Sequence, residues 1–347
     1  MSLAAPNLPF AEFPFGRTLP HAGAGKVPVT VVTGFLGAGK TTLIRRLIEA
    51  PEGEDTALIV NEFGEVGVDD ALLRTGSEEV RLLGRGCICC TAQSELHRTL
   101  RELYGEREQG RIPRFRRVIV ETSGLADPSP ALQALAIDRT LAEHYALRGL
   151  VVVVDAATAL ETARQHPEWH KQAVLADRFI LTKTDLADAA SIAELRALLA
   201  SINDTAPVVV AAEAAASPLL LQPPGPGGLT SGFLGGLPPV PVAHGDGYRS
   251  FVLELDRPVR WEAFSATLDL VTRLRGAAIL RVKGFVQVEG RTGPVVVHQV
   301  QHLAHKPEEL RDWPTGTEPR TRLVFITKDL DAEPVLRLFD AALGLAG

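Results

Sequence analysis

The chain has 347 residues and a formal net charge of −6, and this length allows about two domains of ordinary size. Neither the net charge nor any run of lysine and arginine indicates nonspecific nucleic-acid binding or a basic membrane patch. No stretch approaches the roughly 18 consecutive apolar residues of a membrane-spanning helix. The first 26 residues also lack the pattern of a secretory signal. We therefore expect a cytoplasmic protein that binds neither nucleic acid nor membranes.

Residues 1–26 are rich in proline, which predicts an irregular tail. Over residues 27–214, short apolar runs alternate with helical patterns, as is typical of parallel strands that are buried on both faces. The predicted strands are 29–33, 57–60, 118–120, 150–154, 179–181 and 207–210, and the predicted helices are 41–49, 91–108, 128–137 and 189–202. The pattern predicts an α/β domain: a parallel sheet with helices on both faces and ligands at the carboxyl ends of its strands.

The first predicted strand leads directly into a glycine-rich loop, Gly34-Phe35-Leu36-Gly37-Ala38-Gly39-Lys40-Thr41, that fits the P-loop motif at every fixed position. In such a loop, backbone N–H groups surround the phosphates, Lys40 reaches the β- and γ-phosphates, and the Thr41 hydroxyl can ligate Mg²⁺. A chance match is the alternative, but the flanking strand and amphipathic stretch favour the P-loop NTPase fold. The predicted nucleotide-binding residues of this loop are Gly34, Gly37, Ala38, Gly39, Lys40, Thr41 and Thr42.

The only three cysteines of the chain, Cys87, Cys89 and Cys90, stand together, so no distant cysteine exists for a structural disulfide. Thiolates suit Zn²⁺ and other borderline or soft ions, and three sulfurs supply three of four tetrahedral positions. A redox couple and buried structural cysteines are the alternatives. We favour a metal site.

Three residues are candidates for a fourth metal ligand: Glu62, Glu65 and His97. The two acids belong to residues 61–69, which follow the second predicted strand, where a nucleotide-sensitive loop would lie. A carboxylate from this loop could link metal occupancy to the state of the nucleotide. Each acid is equally expected to be a solvated side chain of the loop.

The third predicted strand ends in Glu121, which is followed by Thr122-Ser123-Gly124. An acid at this position can hold Mg²⁺ through water or orient the attacking water, and the N–H of Gly124 can contact a γ-phosphate. A simple polar end of a strand is the alternative. We predict Lys40, Glu121 and Gly124 as the catalytic residues.

The fifth predicted strand ends in Thr182-Lys183-Thr184-Asp185. The carboxylate of Asp185 can accept two hydrogen bonds from N1 and N2 of guanine, which adenine cannot supply, and the stem of Lys183 can lie across the base. The alternative is that Asp185 caps a helix. Together with the P-loop, the segment predicts that Thr182, Lys183 and Asp185 bind GTP.

A second domain is predicted beyond a linker at residues 215–245, which is rich in proline and glycine. Residues 246–347 contain four strand patterns and only two helical patterns, which predicts a smaller, mainly antiparallel α+β domain. The predicted strands are 248–255, 279–288, 294–302 and 323–327, and the predicted helices are 261–274 and 332–343.

Together these segments resemble the CobW-type GTPases, a family of zinc and cobalt metallochaperones. The resemblance covers nearly the whole chain after residue 27, including the second domain. Besides the P-loop it is carried by Asn61-Glu62-Phe63-Gly64-Glu65, Gly86-Cys87-Ile88-Cys89-Cys90, Glu121-Thr122-Ser123-Gly124-Leu125-Ala126-Asp127-Pro128 and Thr182-Lys183-Thr184-Asp185.

The resemblance implies a Mg²⁺-dependent GTPase that binds Zn²⁺ or Co²⁺ at the three cysteines and delivers it to a client metalloprotein. It identifies neither the client nor the oligomeric state. Some relatives carry a glutamate where Val60 stands in this chain, which directs attention to Glu65 as the fourth ligand. Two other hypotheses are a zinc buffer or sensor with incidental GTPase activity and a cobalt-delivery factor for cobalamin synthesis. The chaperone and the buffer differ in whether GTP hydrolysis releases the metal to a partner.

Overall fold

The computed structural model describes residues 26–50, 53–61, 71–74, 81–83, 92–132, 139–203, 206–211, 242–243, 248–276, 278–300, 303–304, 307–313 and 318–344. Within these ranges the first domain contains strands β1 (Val27–Thr33), β2 (Thr56–Asn61), β3 (Ala71–Arg74), β4 (Arg81–Leu83), β5 (Arg117–Thr122), β6 (Tyr145–Asp155), β7 (Arg178–Thr182) and β8 (Val208–Val210). Its helices are α1 (Lys40–Glu49), α2 (Ala92–Glu108), α3 (Arg139–His144), α4 (Ala159–Gln165), α5 (Pro167–Leu175) and α6 (Ala189–Ile202). Residues 129–132 are also helical, and a short 3₁₀ turn spans Thr184–Leu186.

The strands of the first domain form one sheet in the order β4-β3-β2-β5-β1-β6-β7-β8. Six neighbouring strands of this sheet, β2-β5-β1-β6-β7-β8, are parallel, which confirms the predicted α/β class. The two strands at the other edge, β3 and β4, are antiparallel and were not predicted. They are four and three residues long, and runs this short carry little periodic signal.

The parallel strands are apolar throughout because both faces of the sheet are covered. In β1, Val29 and Val31 belong to the larger core cluster, which includes side chains of α2 and α5. The intervening face carries Val32, which packs in a separate cluster with apolar side chains of α1. Alternate residues of a strand point to opposite faces, so the valines of β1 pack against the helices on both sides of the sheet.

The second domain is a mainly antiparallel sheet with helices on one face. Its described strands are β9 (Val242–Ala243), β10 (Tyr248–Leu255), β11 (Ile279–Val286), β12 (Val295–Val300), β13 (Leu303–Ala304), β14 (Glu308–Glu309) and β15 (Thr321–Lys328), and its helices are α7 (Trp261–Arg275) and α8 (Ala332–Leu343). The main order is β13-β12-β11-β15-β10-β9, and β14 pairs with β12. In β15, Leu323 and Phe325 pack in the core of this domain, whereas Val324 and Ile326 belong to the apolar cluster of the first domain.

A buried ion cluster lies where the two domains meet. Asp177, at the amino end of β7, is 2.6 Å from Nη2 of Arg281 and 2.7 Å from Nζ of Lys283, both on β11. Arg281 also donates a hydrogen bond to the carbonyl of Leu175, the last residue of α5. The other oxygen of Asp177 accepts a hydrogen bond of 2.7 Å from the backbone N–H of Leu150. The second domain is therefore held by charge as well as by apolar packing.

Within the part of the chain that the structure describes, no helix has the length and apolar character needed to cross a membrane.

Candidate functional site

The predicted phosphate loop lies at the carboxyl end of β1 and leads into α1. Positive φ angles occur at Gly34 (143°), Gly37 (74°) and Gly39 (88°), a region of backbone conformation that favours glycine. At Gly34 space is limiting as well, because an added Cβ would lie 2.2 Å from the carbonyl oxygen of Val153 on β6. The glycines are thus required by the local backbone, and they let the loop curl over the amino end of α1.

Lys40, the first residue of α1, is buried and turns back into this loop. Its Nζ donates hydrogen bonds to the carbonyls of Gly34 (2.7 Å) and Phe35 (3.3 Å). The ammonium group therefore lies among the loop carbonyls and next to the helix terminus, where an anion is favoured. Ala38 is buried in the same loop, and Thr42 is exposed on the first turn of α1.

The structure brings Thr41 and Glu121 together although they are 80 residues apart in sequence. The Thr41 hydroxyl donates a hydrogen bond of 2.6 Å to Oε1 of Glu121, which is 4% exposed at the end of β5. The two side chains place a hydroxyl and a carboxylate oxygen beside the phosphate loop, and these hard oxygen donors are of the kind that Mg²⁺ prefers. The donor set therefore fits a magnesium ion.

Gly124, in the loop that follows β5, lies against Leu36 of the phosphate loop. A Cβ at this position would lie 2.7 Å from the backbone nitrogen of Leu36, so only glycine fits without movement of the loop. The chain turns here, with the N–H of Ala126 donating to the carbonyl of Ser123 at 3.2 Å. The predicted catalytic residues Lys40, Glu121 and Gly124 thus all lie at the phosphate loop or at the first turn of α1.

The predicted base-binding segment lies at the carboxyl end of β7. The hydroxyl of Thr182 donates a 2.7 Å hydrogen bond to the carbonyl of Ala38 and so ties this strand end to the phosphate loop. Lys183 has a positive φ of 54°, and its Nζ lies 2.7 Å from Oδ2 of Asp155 at the end of β6. Asp185 is exposed in the 3₁₀ turn, and the following helix is capped instead by Asp188. The helix-cap alternative for Asp185 is therefore wrong, and its carboxylate is accessible to a ligand.

The predicted metal ligands Cys87, Cys89, Cys90 and Glu65 lie outside the described residues, as does Glu62. In the described ranges, no three His, Cys, Asp or Glu side chains are grouped as metal ligands. The remaining candidate, His97, is on α2, where its Nε2 is buried and makes no hydrogen bond to the described residues.

Sequence reasoning missed two residues that support the site. Asp155 holds Lys183, and its position after a run of four valines resembles that of Glu121, which offers a signal for finding it. Gln172 donates hydrogen bonds to the loop that contains Gly124, from a helix that was not predicted at all. Nothing in the local sequence distinguishes this glutamine from a surface residue.

Comparisons with known proteins agree over both domains. A family model of the CobW/HypB/UreG nucleotide-binding domain matches residues 28–210, and a model of the cobalamin synthesis protein CobW C-terminal domain matches residues 248–343. The chain is 35% identical over 324 residues to the zinc chaperone YjiA of Escherichia coli strain K12, covering 90% of this chain and 98% of that protein. It is 32% identical over 373 residues to the zinc chaperone CobW of Pseudomonas aeruginosa strain PAO1, covering 94% of each. The crystal structure of Zn(II)-bound YjiA GTPase from E. coli matches with a TM-score of 0.65 and 33% identity, over 92% of this chain and 99% of that one.

Proposed function

The chain belongs to the CobW/HypB/UreG family of P-loop GTPases, and from this premise we propose that it is a metallochaperone that binds Zn²⁺ at Cys87, Cys89 and Cys90 and releases it to a client protein when GTP is hydrolysed. The observation that carries the proposal is the position of the three cysteines. They stand in the chain between β2 and β5, neighbouring parallel strands whose carboxyl ends lie at the same edge of the sheet as that of β1. Residues 61–69, which are predicted to respond to the nucleotide, and the metal motif therefore belong to the same connection in the chain.

On this proposal the nucleotide is GTP, selected by the exposed carboxylate of Asp185. Thr182 and Lys183 hold the base-binding segment through Ala38 and Asp155. Lys40 balances the charge of the β- and γ-phosphates, and the N–H of Gly124 contacts the γ-phosphate.

Thr41 and Glu121 would hold the Mg²⁺ ion, Glu121 directly or through water. When bound, this ion neutralises the negative charge that develops on the phosphate oxygens. The carboxylate of Glu121 is buried, so its position depends on β5 rather than on solvent. Its hydrogen bond to Thr41 fixes the relative position of the two oxygens before the nucleotide binds.

The zinc is cargo, and its proposed ligands are the three thiolates and Glu65 of residues 61–69. His97 is the competing fourth ligand because its buried Nε2 has no described hydrogen-bond partner. Co²⁺ can replace Zn²⁺ as a spectroscopic probe, since thiolate-to-cobalt charge transfer and tetrahedral d–d bands report the ligand set. We expect these bands to disappear in Cys87→Ser, Cys89→Ser and Cys90→Ser, and to shift in only one of Glu65→Gln and His97→Gln.

The test of function is zinc release to a chromophoric chelator during a single turnover of GTP. We expect the zinc-loaded parent protein to release metal with the kinetics of hydrolysis, and neither a nonhydrolysable GTP analogue nor GDP to give the same rate. Glu121→Gln is the matched control, because it keeps the cysteines and should bind GTP without rapid hydrolysis. Release at the same rate in Glu121→Gln would assign the chain instead to a zinc buffer or sensor with incidental GTPase activity.

A pair of titrations tests the same coupling at equilibrium. If the GTP analogue tightens zinc binding by some factor, zinc must tighten binding of the analogue by the same factor, and typical couplings are about 1–3 kcal/mol. Equal zinc affinities in the analogue-bound and GDP-bound states would contradict release on hydrolysis.

A further inference from the structure

Gln172 is a fully buried polar residue on α5, and its amide contacts the loop that contains Gly124. Its Nε2 donates hydrogen bonds to the carbonyls of Gly124 (3.0 Å) and Ala126 (3.2 Å), which belong to the loop that follows β5. Both partners are acceptors, so the NH₂ end of the side chain must face the loop. The amide therefore holds two carbonyl groups of the turn at Gly124, although it belongs to a different element, α5.

Among the described residues, few other side-chain hydrogen bonds hold this loop. The side chain of Leu125 is 50% exposed and that of Asp127 points to the following backbone, where it accepts a hydrogen bond of 2.8 Å from the N–H of Ser129. A Cβ added at Gly124 would lie 2.7 Å from the backbone nitrogen of Leu36 in the phosphate loop, so this side of the turn has no free space. Gln172 thus holds the loop on one side while the phosphate loop limits it on the other.

The hydrogen bonds of Gln172 contribute less to stability than its burial suggests. Its Oε1 is buried and makes no hydrogen bond to the described residues, so the side chain also carries the cost of an unpaired acceptor. An apolar side chain of the same length would remove that cost, but it would also leave the carbonyls of Gly124 and Ala126 without this donor.

We propose that Gln172 is a positioning residue that holds the N–H of Gly124 where it contacts the γ-phosphate, and thereby sets the preference of the protein for GTP over GDP. The inference deepens the proposed function and rests on the role assigned there to Gly124. GDP lacks the γ-phosphate, so its binding should not depend on this turn. The effect of Gln172 should appear only with the triphosphate.

The decisive variant is Gln172→Met, which keeps the length of the side chain and removes both donors. We expect the Kd of a nonhydrolysable GTP analogue to rise by ~10-fold, which corresponds to about 1.4 kcal/mol of binding free energy, while the Kd of GDP changes by less than about 2-fold. Both constants are measured by fluorescence titration with Mg²⁺ present, and the free energy of unfolding is measured alongside.

Asn203→Leu is the matched control. Asn203 is also buried, and its Nδ2 donates to the carbonyls of Ala173, Val174 and Ala176 at the end of the same helix, at 2.9–3.2 Å. None of these three carbonyls belongs to the loop at Gly124. We expect this variant to lower stability and to leave the ratio of the two Kd values unchanged, because it disturbs α5 without releasing the loop.

An unchanged ratio in Gln172→Met would overturn the inference. If Gln172→Met does not fold, Gln172→Asn keeps the amide but shortens its reach, and the same ratio decides. Gly124→Ala separates this inference from the proposed function: a lost preference in Gly124→Ala with an intact one in Gln172→Met rejects only the role of Gln172. An intact preference in Gly124→Ala rejects the γ-phosphate contact itself.

Discussion

The strongest prediction for stability concerns Asp177 in the ion cluster between the domains. The side chains of Asp177, Arg281 and Lys283 are 3%, 4% and 11% exposed, so water screens their charges little. Among these three side chains, one carboxylate faces two cations, which gives a net charge of +1; Asp177 also interacts with His298 and Arg178. Asp177→Asn would raise the buried net charge to +2, whereas Lys283→Met would lower it to zero.

Counting charges in this way predicts unequal effects from two substitutions of similar size. Asp177→Asn should lower the free energy of unfolding by about 3–5 kcal/mol, the usual cost of removing one partner from a buried ion pair. Lys283→Met leaves the pair of Asp177 with Arg281 and should cost about 1 kcal/mol or less. Burial, the largest influence on this lysine, lowers its pKa, so removing the ammonium also removes a desolvation cost.

Urea unfolding followed by tryptophan fluorescence measures the difference. Trp169 is buried in the first domain and Trp261 in the second, so the signal reports both. Equal losses in the two variants would refute the reasoning from charge. The pH dependence gives a second test: burial raises the pKa of Asp177, but Arg281 and Lys283 outweigh burial and hold this pKa below its usual range. The resulting stability is present above the unfolded pKa of about 4 and is lost as the pH falls below it, and Asp177→Asn should flatten this loss.

Three further predictions concern the nucleotide site. Lys40→Ala should lower kcat for GTP by ~100-fold or more in a phosphate-release assay, because a positive charge next to the phosphates is lost; normal turnover would contradict this role. Glu121→Gln should lower kcat by about 10–100-fold and change the Kd of GTP by less than about 2-fold, and an equal change in both would instead indicate a binding role. Asp185→Asn should weaken GTP by about 10–100-fold and favour xanthosine triphosphate, whose extra carbonyl can accept from the new amide; equal competition by ATP and GTP in the parent protein would exclude guanine recognition.

The phosphate loop and the strand ends could be predicted from local sequence because each is formed by consecutive residues. The valines of β1 are apolar on two faces and lead into a loop whose glycines are needed by their own backbone angles, so strand, turn and helix are specified together. Glu121 could be placed beside this loop from sequence because the carboxyl ends of parallel strands meet at one edge of a sheet.

Contacts between distant segments could not be predicted in the same way. Gln172 is 48 residues from Gly124, and Arg281 is 104 residues from Asp177, so neither partner is visible in a local pattern. The helix that carries Gln172 was not predicted because most of its second half is buried, so its apolar and polar residues do not alternate with the helical period. Strands β3 and β4 were missed because short antiparallel edge strands depend on the sheet beside them.

Helix α5 contacts both the loop at Gly124 and the second domain. Gln172 and Leu175 are three residues apart, about one turn of helix or ~4.5 Å of rise. The first holds the loop at Gly124, and the carbonyl of the second accepts a hydrogen bond from Arg281 of the second domain. Val324 and Ile326 of that domain complete the apolar cluster in which α5 is buried, so without it this cluster and the ion cluster would face water. The helix that positions the proposed γ-phosphate contact is therefore packed and hydrogen-bonded by both domains, and we expect removal of the second domain to weaken that contact.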